Sequence, residues 1–262
     1  MSRRFPPGGR SDQIREENPR AHPTGGAREE TERAVNTEVV KLFKGLRVAD
    51  VRDGLDWIGM PNKGSVDRSI MPIAEGMKFC GPAFTVRSRV TQKQVPMITG
   101  EEYTTWARDY WYKEVQIQPW DAELTPGDVV VLESPDARCG EIGSYNSLDM
   151  HIKGAAAIVT SGGARDHDEC VSQGVPIFAA YRNQAMTQGR VEYETYGVPV
   201  TIGGVQIKPG DIVVGDGDGV IAVPLELAEE VAKYARQENE NDRRGRRALY
   251  EKAGLPLDDT VL

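Results

Sequence analysis

The stretch Ala155-Ala-Ala-Ile-Val-Thr-Ser-Gly-Gly-Ala-Arg-Asp166 reads as a buried strand that runs into a glycine-rich turn. Its apolar run is too short for a helix of ordinary length, and small residues fill the face that a neighbouring helix must approach. Upstream, Pro126-Gly-Asp-Val-Val-Val-Leu-Glu133 gives a turn and a second buried strand. Between the two, Leu148 and Ile152 stand four residues apart, which predicts a helix from about Ser144 to Lys153. Downstream, Val175-Pro-Ile-Phe-Ala179 reads as a further strand. Strand, helix and strand in alternation predict a parallel βαβ unit with a right-handed crossover, hence an α/β protein.

The pattern changes on either side of this unit. Val39, Val40, Phe43 and Leu46 recur at helical spacing, and a second short helix is expected from Val48 to Ile58. Lys78-Phe-Cys-Gly-Pro-Ala-Phe-Thr-Val-Arg87 reads as a strand whose Gly-Pro pair marks a bulge or an edge. Residues 92–123 hold three of the four tryptophans, and Tyr103, Trp106 and Tyr110 fall on one helical face. That segment is either simple packing or a lid over a ligand, since Tyr and Trp join an apolar body to a polar edge. Near the C-terminus, 198–202, 205–207, 211–214 and 219–223 predict short strands in a compact β layer, cut by Gly-Gly, Pro-Gly and Asp-Gly turns. Pro224 then opens a helix with Leu227, Val231 and Ala235 on one face. The cluster Arg243-Arg244-Gly245-Arg246-Arg247 is expected near that helix's negative end.

The chain therefore divides into a polar tail over 1–33, a main domain over 34–240 and a helix end and tail over 241–262. Its 262 residues suffice for a core without disulfides, and Cys80, Cys139 and Cys170 lack metal-ligand or redox-motif spacing. A net charge of −8 argues against nucleic acid or an acidic membrane as partner. No run approaches the length of a membrane span, and the basic N-terminus lacks an apolar signal region, so a cytoplasmic protein is expected.

Two loops carry the chemistry. Gly140-Glu-Ile-Gly-Ser-Tyr-Asn146 leaves a strand and enters a helix, where unpaired backbone N–H groups cradle anions and glycines admit a ligand closely. Arg165-Asp166 leaves the next strand, so both loops are expected at the carboxyl ends of neighbouring strands. Arg165 offers a planar fork for a carboxylate, and Asp166 a hard oxygen for Mg²⁺ or Mn²⁺. Together they suit a 2-oxo acid and the enolate derived from it. The plain alternative is a surface ion pair or a helix cap. His167 could ligate or orient beside Asp166 but reads more simply as a solvent-facing helix residue; His151 reads as structural and His22 belongs to the tail.

Several stretches match one family in order and spacing: Gly81-Pro-Ala-Phe-Thr-Val86, Pro126-Gly-Asp-Val-Val-Val131, Gly162-Gly-Ala-Arg-Asp166, Pro176-Ile-Phe-Ala179, the run Val198 to Asp211, and Gly215-Asp-Gly-Asp-Gly-Val220. Over roughly Thr37 to Gln237 the chain resembles the RraA-like family, which includes the class II 4-hydroxy-4-methyl-2-oxoglutarate/4-carboxy-4-hydroxy-2-oxoadipate aldolases. The resemblance implies a layered α-β-β-α swivelling-type sandwich assembled as homotrimers or hexamers, with sites at subunit interfaces. It implies that Arg165 holds the carboxylate and keto oxygen, that Asp166 ligates the metal, and that Gly143, Ser144 and the amides of Tyr145 and Asn146 complete the cradle. Glu169 matches an acidic position common after the Arg-Asp pair.

One position departs from that pattern. With 20 residues between it and Arg165, Ser144 occupies the place where the aldolases carry an aspartate that orders a water for proton transfer. A serine is a poor base near neutral pH. Glu141 or Asp149 could replace it, although helix geometry turns Asp149 elsewhere. Three functions follow: a metal-dependent lyase of small 2-oxo acids, a non-catalytic regulator that binds a ribonuclease or other protein, and a changed chemistry such as a hydratase or sugar-acid aldolase.

Overall fold

The computed structural model describes residues 38–262. The expected tail over 1–33, with His22, lies outside the described residues. Helix α1 (Val48–Trp57) is followed by strands β1 (Met71–Pro72) and β2 (Phe79–Val90). Helix α2 (Gly100–Trp106) runs on as a π-helix (Ala107–Val115), and a 3₁₀ turn (Asp121–Glu123) closes that segment. The βαβ region comprises β3 (Val129–Glu133), β4 (Gly140–Ile142), α3 (Ser144–Ile152), β5 (Ala157–Ala164), α4 (His167–Gln173) and β6 (Ile177–Arg182). Then come β7 (Val191–Tyr196), β8 (Val200–Ile202), β9 (Val205–Ile207), β10 (Ile212–Asp216), β11 (Gly219–Val223) and the long helix α5 (Ala228–Ala253).

Nine strands form one sheet in the order β1-β6-β5-β3-β2-β10-β11, with β4 beside β5 and β7 beside β2. Strands β2, β3, β5 and β6 run parallel, as the alternating pattern requires. Because parallel strands are covered on both faces, β3 is apolar throughout. Val129 and Val131 face one core with Phe79, Phe178, Ile202 and Ile207, while Val130 and Leu132 face another with Trp120, Met150 and Cys170. A third core joins α1, α5 and Phe43, which precedes α1, to β10 and β11 through Val51, Leu55, Ile212, Ile221 and Val231. Burying each such side chain stabilises the fold by about 1.5–3 kcal/mol. Helices thus cover both sides of a nearly closed sheet, which is the α-β-β-α layering.

Three expectations need correction. The Gly81-Pro82 pair lies on a central strand, between β3 and β10, not at an edge. Proline is tolerated because β3 begins opposite Ala83, one residue further on, so no ladder bond on that side is lost. The only shift in pairing register along β2 falls at Arg87/Ser88, against β7. The C-terminal strands do not form one layer: β8 and β9 make a separate hairpin, and β10 and β11 extend the main sheet. Helix α5 continues to Ala253, so the arginine cluster sits within it and not at its end. There Arg246 pairs with Asp242, Arg247 with Glu251, and Arg243 donates to the carbonyl of Leu262. The three cysteines are unpaired, as their spacing predicts, and burial pushes the Cys80 thiol up to about 12.

Candidate active site at the mouth of a cavity

Strand β4 places its carboxyl end beside that of β5, so the two glycine-bearing loops meet. Arg165 is locked to the first loop by its backbone N–H, which donates to the Ile142 carbonyl at 2.8 Å. Both glycines of that loop are hemmed in, Gly140 by the Asn183 carbonyl and Arg165, Gly143 by Asp166 and Arg165. A Cβ at Gly140 would stand 2.6 Å from Arg165 Cβ, and one at Gly143 would stand 2.6 Å from Asp166 Oδ2.

Asp166 holds a left-handed backbone, φ 52° and ψ 44°, which only glycine, asparagine and aspartate adopt with ease. That twist turns the chain sharply from β5 into α4 and brings the carboxylate back over α3. Asp166 Oδ1 accepts from Arg165 Nε at 3.1 Å, and Oδ2 accepts from the Ser144 amide at 3.2 Å and its hydroxyl at 3.4 Å. Burial alone would raise this carboxyl's pKa. The Arg165 contact and the Ser144 amide outweigh it, so Asp166 lies below the usual carboxylate range and is ionised. The pair is therefore the ion pair of the plain reading. It is also positioned: both side chains are about a third exposed, 32% and 34%, at the mouth of a cavity of about 480 Å³.

Asn146 differs in part from expectation. Its side chain closes the loop, with Oδ1 accepting from the Gly143 N–H at 2.7 Å and Nδ2 donating to the Glu141 carbonyl at 3.0 Å. The first-turn amides of Tyr145 and Asn146 have no acceptor within α3, as at any helix start, and the Tyr145 side chain is exposed.

Of the two carboxylates weighed for proton transfer, Asp149 points outward and binds Lys153 Nζ at 2.6 Å. Glu141 instead lines the cavity and is buried. Its Oε1 accepts from Ser88 Oγ at 2.5 Å and from Gln116 Nε2 at 2.7 Å, while Oε2 has no partner. Burial pushes Glu141 above the usual carboxylate range, against the pull of hydrogen bonds from Ser134, Ser88 and Gln116. Glu169 is exposed on α4 and, like His167, does not line the cavity. His151 Nδ1 bonds the Ala155 carbonyl at 2.8 Å, a structural role as expected.

Further walls come from β2 and β7, which sequence reasoning did not connect to the site, and from the 92–123 segment, which it offered as a lid. They are Val86 and Ser88 of β2, Trp120 and Gln116 beyond the π-helix, and Tyr193 of β7. The aromatic segment packs over the cavity, with Trp111 buried and Tyr112 accepting from Gln188 Nε2 at 2.6 Å. The Tyr103–Trp106 and Trp106–Tyr110 rings meet at 5.4 and 6.0 Å, so the expected aromatic face is present. Those three rings do not line the cavity, whereas Tyr112 does.

Among the described residues no three His, Cys, Asp or Glu side chains gather as a metal cluster. A divalent cation at the mouth would therefore take Asp166 as its carboxylate and fill its other positions with water and ligand oxygens. That donor set fits Mg²⁺, which keeps several waters.

An ionised aspartate, a forked guanidinium and the first amides of a helix thus meet at the carboxyl ends of parallel strands in an α/β protein. The chain belongs to the RraA-like family, whose aldolase/RraA model matches residues 48–222. A Halalkalibacterium halodurans relative, provisionally named 4-hydroxy-4-methyl-2-oxoglutarate aldolase, is 27% identical over 81% of this chain and 89% of its own. A crystal structure from Pseudomonas syringae pv. tomato is 26% identical, with TM-score 0.66 over 82% of this chain and 89% of that one. Streptomyces coelicolor RraAS2, described as an unusual member of the ribonuclease ES inhibitor RraA family, is 27% identical. Its TM-score is 0.65 over 80% of this chain and 98% of its own.

Proposed function

We propose that the protein is a divalent-metal-dependent lyase that releases pyruvate from a small 2-oxo acid, by retro-aldol cleavage or decarboxylation. The observation that carries this reading is the fixed Arg165-Asp166 pair facing the open amides of α3 at the mouth of a cavity. Arg165 binds the substrate carboxylate and keto oxygen, and its charge favours the enolate that bond cleavage leaves. The Tyr145 and Asn146 amides orient the same carboxylate, with Gly143 leaving room for it. Asp166 would hold Mg²⁺ or Mn²⁺, which when bound supplies Lewis-acid polarisation of the keto group. Ser144 keeps Asp166 in place through its amide and hydroxyl. The partly exposed mouth suits assembly as a homotrimer or hexamer with a neighbour completing the site, which light scattering would measure.

Calorimetry with Mn²⁺ and oxalate, a pyruvate-enolate mimic, tests the reading. Wild type binds oxalate only with the metal, and Asp166→Asn does not. Equal binding by Asp166→Asn would overturn the assignment. A second reading is a regulator that binds a ribonuclease or other protein partner. Ser144 in the aldolases' aspartate position favours it, as does the likeness to the Streptomyces coelicolor protein. Co-purification of a ribonuclease together with absent oxalate binding would favour it over the lyase.

A further inference from the structure

Ser144 leaves the cavity mouth without a base, yet the cavity contains a second carboxyl. We propose that Glu141 is the proton-transfer residue of this site, taking and returning the proton that the family's aspartate would otherwise handle through water. This rests on the lyase reading above.

Placement supports it first. Glu141 lies between Gly140, which Arg165 presses on, and Gly143 two residues further along, which Asp166 presses on; all five residues line the one cavity. Arg165 and Asp166 are partly exposed at its mouth, whereas Glu141 and Ser88 are each 7% exposed further in. A substrate whose head meets Arg165 extends inward toward Glu141.

The hydrogen bonding supports it next. Ser88 and Gln116 both donate to Oε1, which fixes the carboxyl plane; the Ser134 hydroxyl also favours the carboxylate, and Oε2 itself has no bonded partner. A buried oxygen of this kind is costly to leave unpaired in a structural role, and a substrate hydroxyl would satisfy it. Finally, the two carboxyls of the cavity are driven apart: Asp166 downward by Arg165 and Ser144, Glu141 upward by burial. Such a split divides an electrostatic role from an acid–base one.

The step balances without a further reactant. As a carboxylate, Glu141 takes the proton of the C4 hydroxyl of a 4-hydroxy-2-oxo acid. The C4–O bond becomes a carbonyl and the C3–C4 bond breaks. Its electron pair enters the C2–C3 bond, and the C2 carbonyl pair moves onto the oxygen beside Arg165. Glu141 then returns the same proton to C3, so pyruvate and an aldehyde or ketone leave. The groups around Glu141 are Ser88 from β2, Gln116 beyond the π-helix, Ser134 just after β3, Cys139 two residues before Glu141 with Arg190 nearby, and Tyr181 from β6.

The test is exchange of pyruvate C3 protons in D₂O with Mg²⁺, read as loss of the methyl proton signal by NMR, beside oxalate affinity by calorimetry. Glu141→Gln should slow exchange by about 100-fold or more and abolish its rise with pH, with oxalate affinity held within about threefold as a check that the site is folded. Should that variant not fold, Glu141→Asp, which draws the carboxyl back by one carbon, should slow exchange by about tenfold or more. Adding Ser144→Asp to Glu141→Gln should restore part of the lost rate. Exchange at the wild-type rate in Glu141→Gln, with oxalate still bound, would overturn this inference alone. Failure of the wild type both to bind oxalate and to exchange pyruvate would overturn the lyase reading and this inference with it.

Discussion

The mouth and the inner end of the cavity each hold one carboxyl, and the two live under opposite physics. At the mouth, Asp166 is partly solvated, paired with Arg165 and served by the Ser144 amide, so its charge is favoured. At the inner end, Glu141 is buried among the neutral donors Ser134, Ser88 and Gln116 with no cation bonded to it, so its charge is disfavoured. A charge kept at the mouth can hold a cation, while a charge discouraged inside can come and go. The same residue type is thus given two capacities by surroundings alone.

The largest effect expected from breaking this contrast is at the mouth. Asp166→Asn retains the left-handed turn, which asparagine tolerates, but removes the anionic oxygen, and Mn²⁺ titration should show a loss of about 100-fold or more. Arg165→Lys keeps the charge without the fork, and oxalate affinity should fall about tenfold or more. Gly143→Ala places a Cβ 2.6 Å from Asp166 Oδ2. It should weaken metal-dependent oxalate binding by about tenfold while the melting temperature moves little.

A finer contrast is the sign of pH dependence. Because the folded pKa of Glu141 is raised, the folded state binds more protons above the unfolded value near 4.5. Its contribution to stability is present below that value and is lost as pH rises through the folded value. Asp166 behaves in the opposite sense: its contribution is present above 3.8 and is lost as pH falls through the lowered folded value. Denaturant titrations across pH should therefore show Glu141→Gln flattening the loss above pH 4.5 and leaving the acid side unchanged. Smallest of all, Tyr112→Phe removes one bond to Gln188 and should cost about 1 kcal/mol in thermal unfolding, with oxalate affinity unchanged.

Much of the mouth was legible because its causes are local. The apolar runs of β3 and β5, the helix between them and the Gly-Gly-Ala-Arg-Asp turn place Arg165 and Asp166 correctly beside Gly143. The inner end was not, because Ser88, Gln116 and Tyr193 come from three distant segments that carry no shared spacing. Glu141 could be named from the sequence only as one of two candidates, and folding separated it from Asp149. The π-helix hides for a different reason: the aromatic residues leading into it, Tyr103 and Trp106, repeat at α-helical spacing, and the wider turn begins only at Ala107. Pro82 misled because the rule against proline in central strands holds only where both neighbours are present, and β3 starts one residue later.

The left-handed backbone of Asp166 has a bearing on how such a protein can diverge. Most replacements there would strain the turn and disturb Arg165 with it, so the position resists ordinary drift. Asparagine and glycine are the exceptions, and both delete the carboxylate that would hold the proposed cation while fitting the turn. On the proposed lyase reading, a single substitution at this point would therefore turn a catalyst into a pure binder on an unchanged backbone. A lineage that contains both kinds of protein has a short road between them.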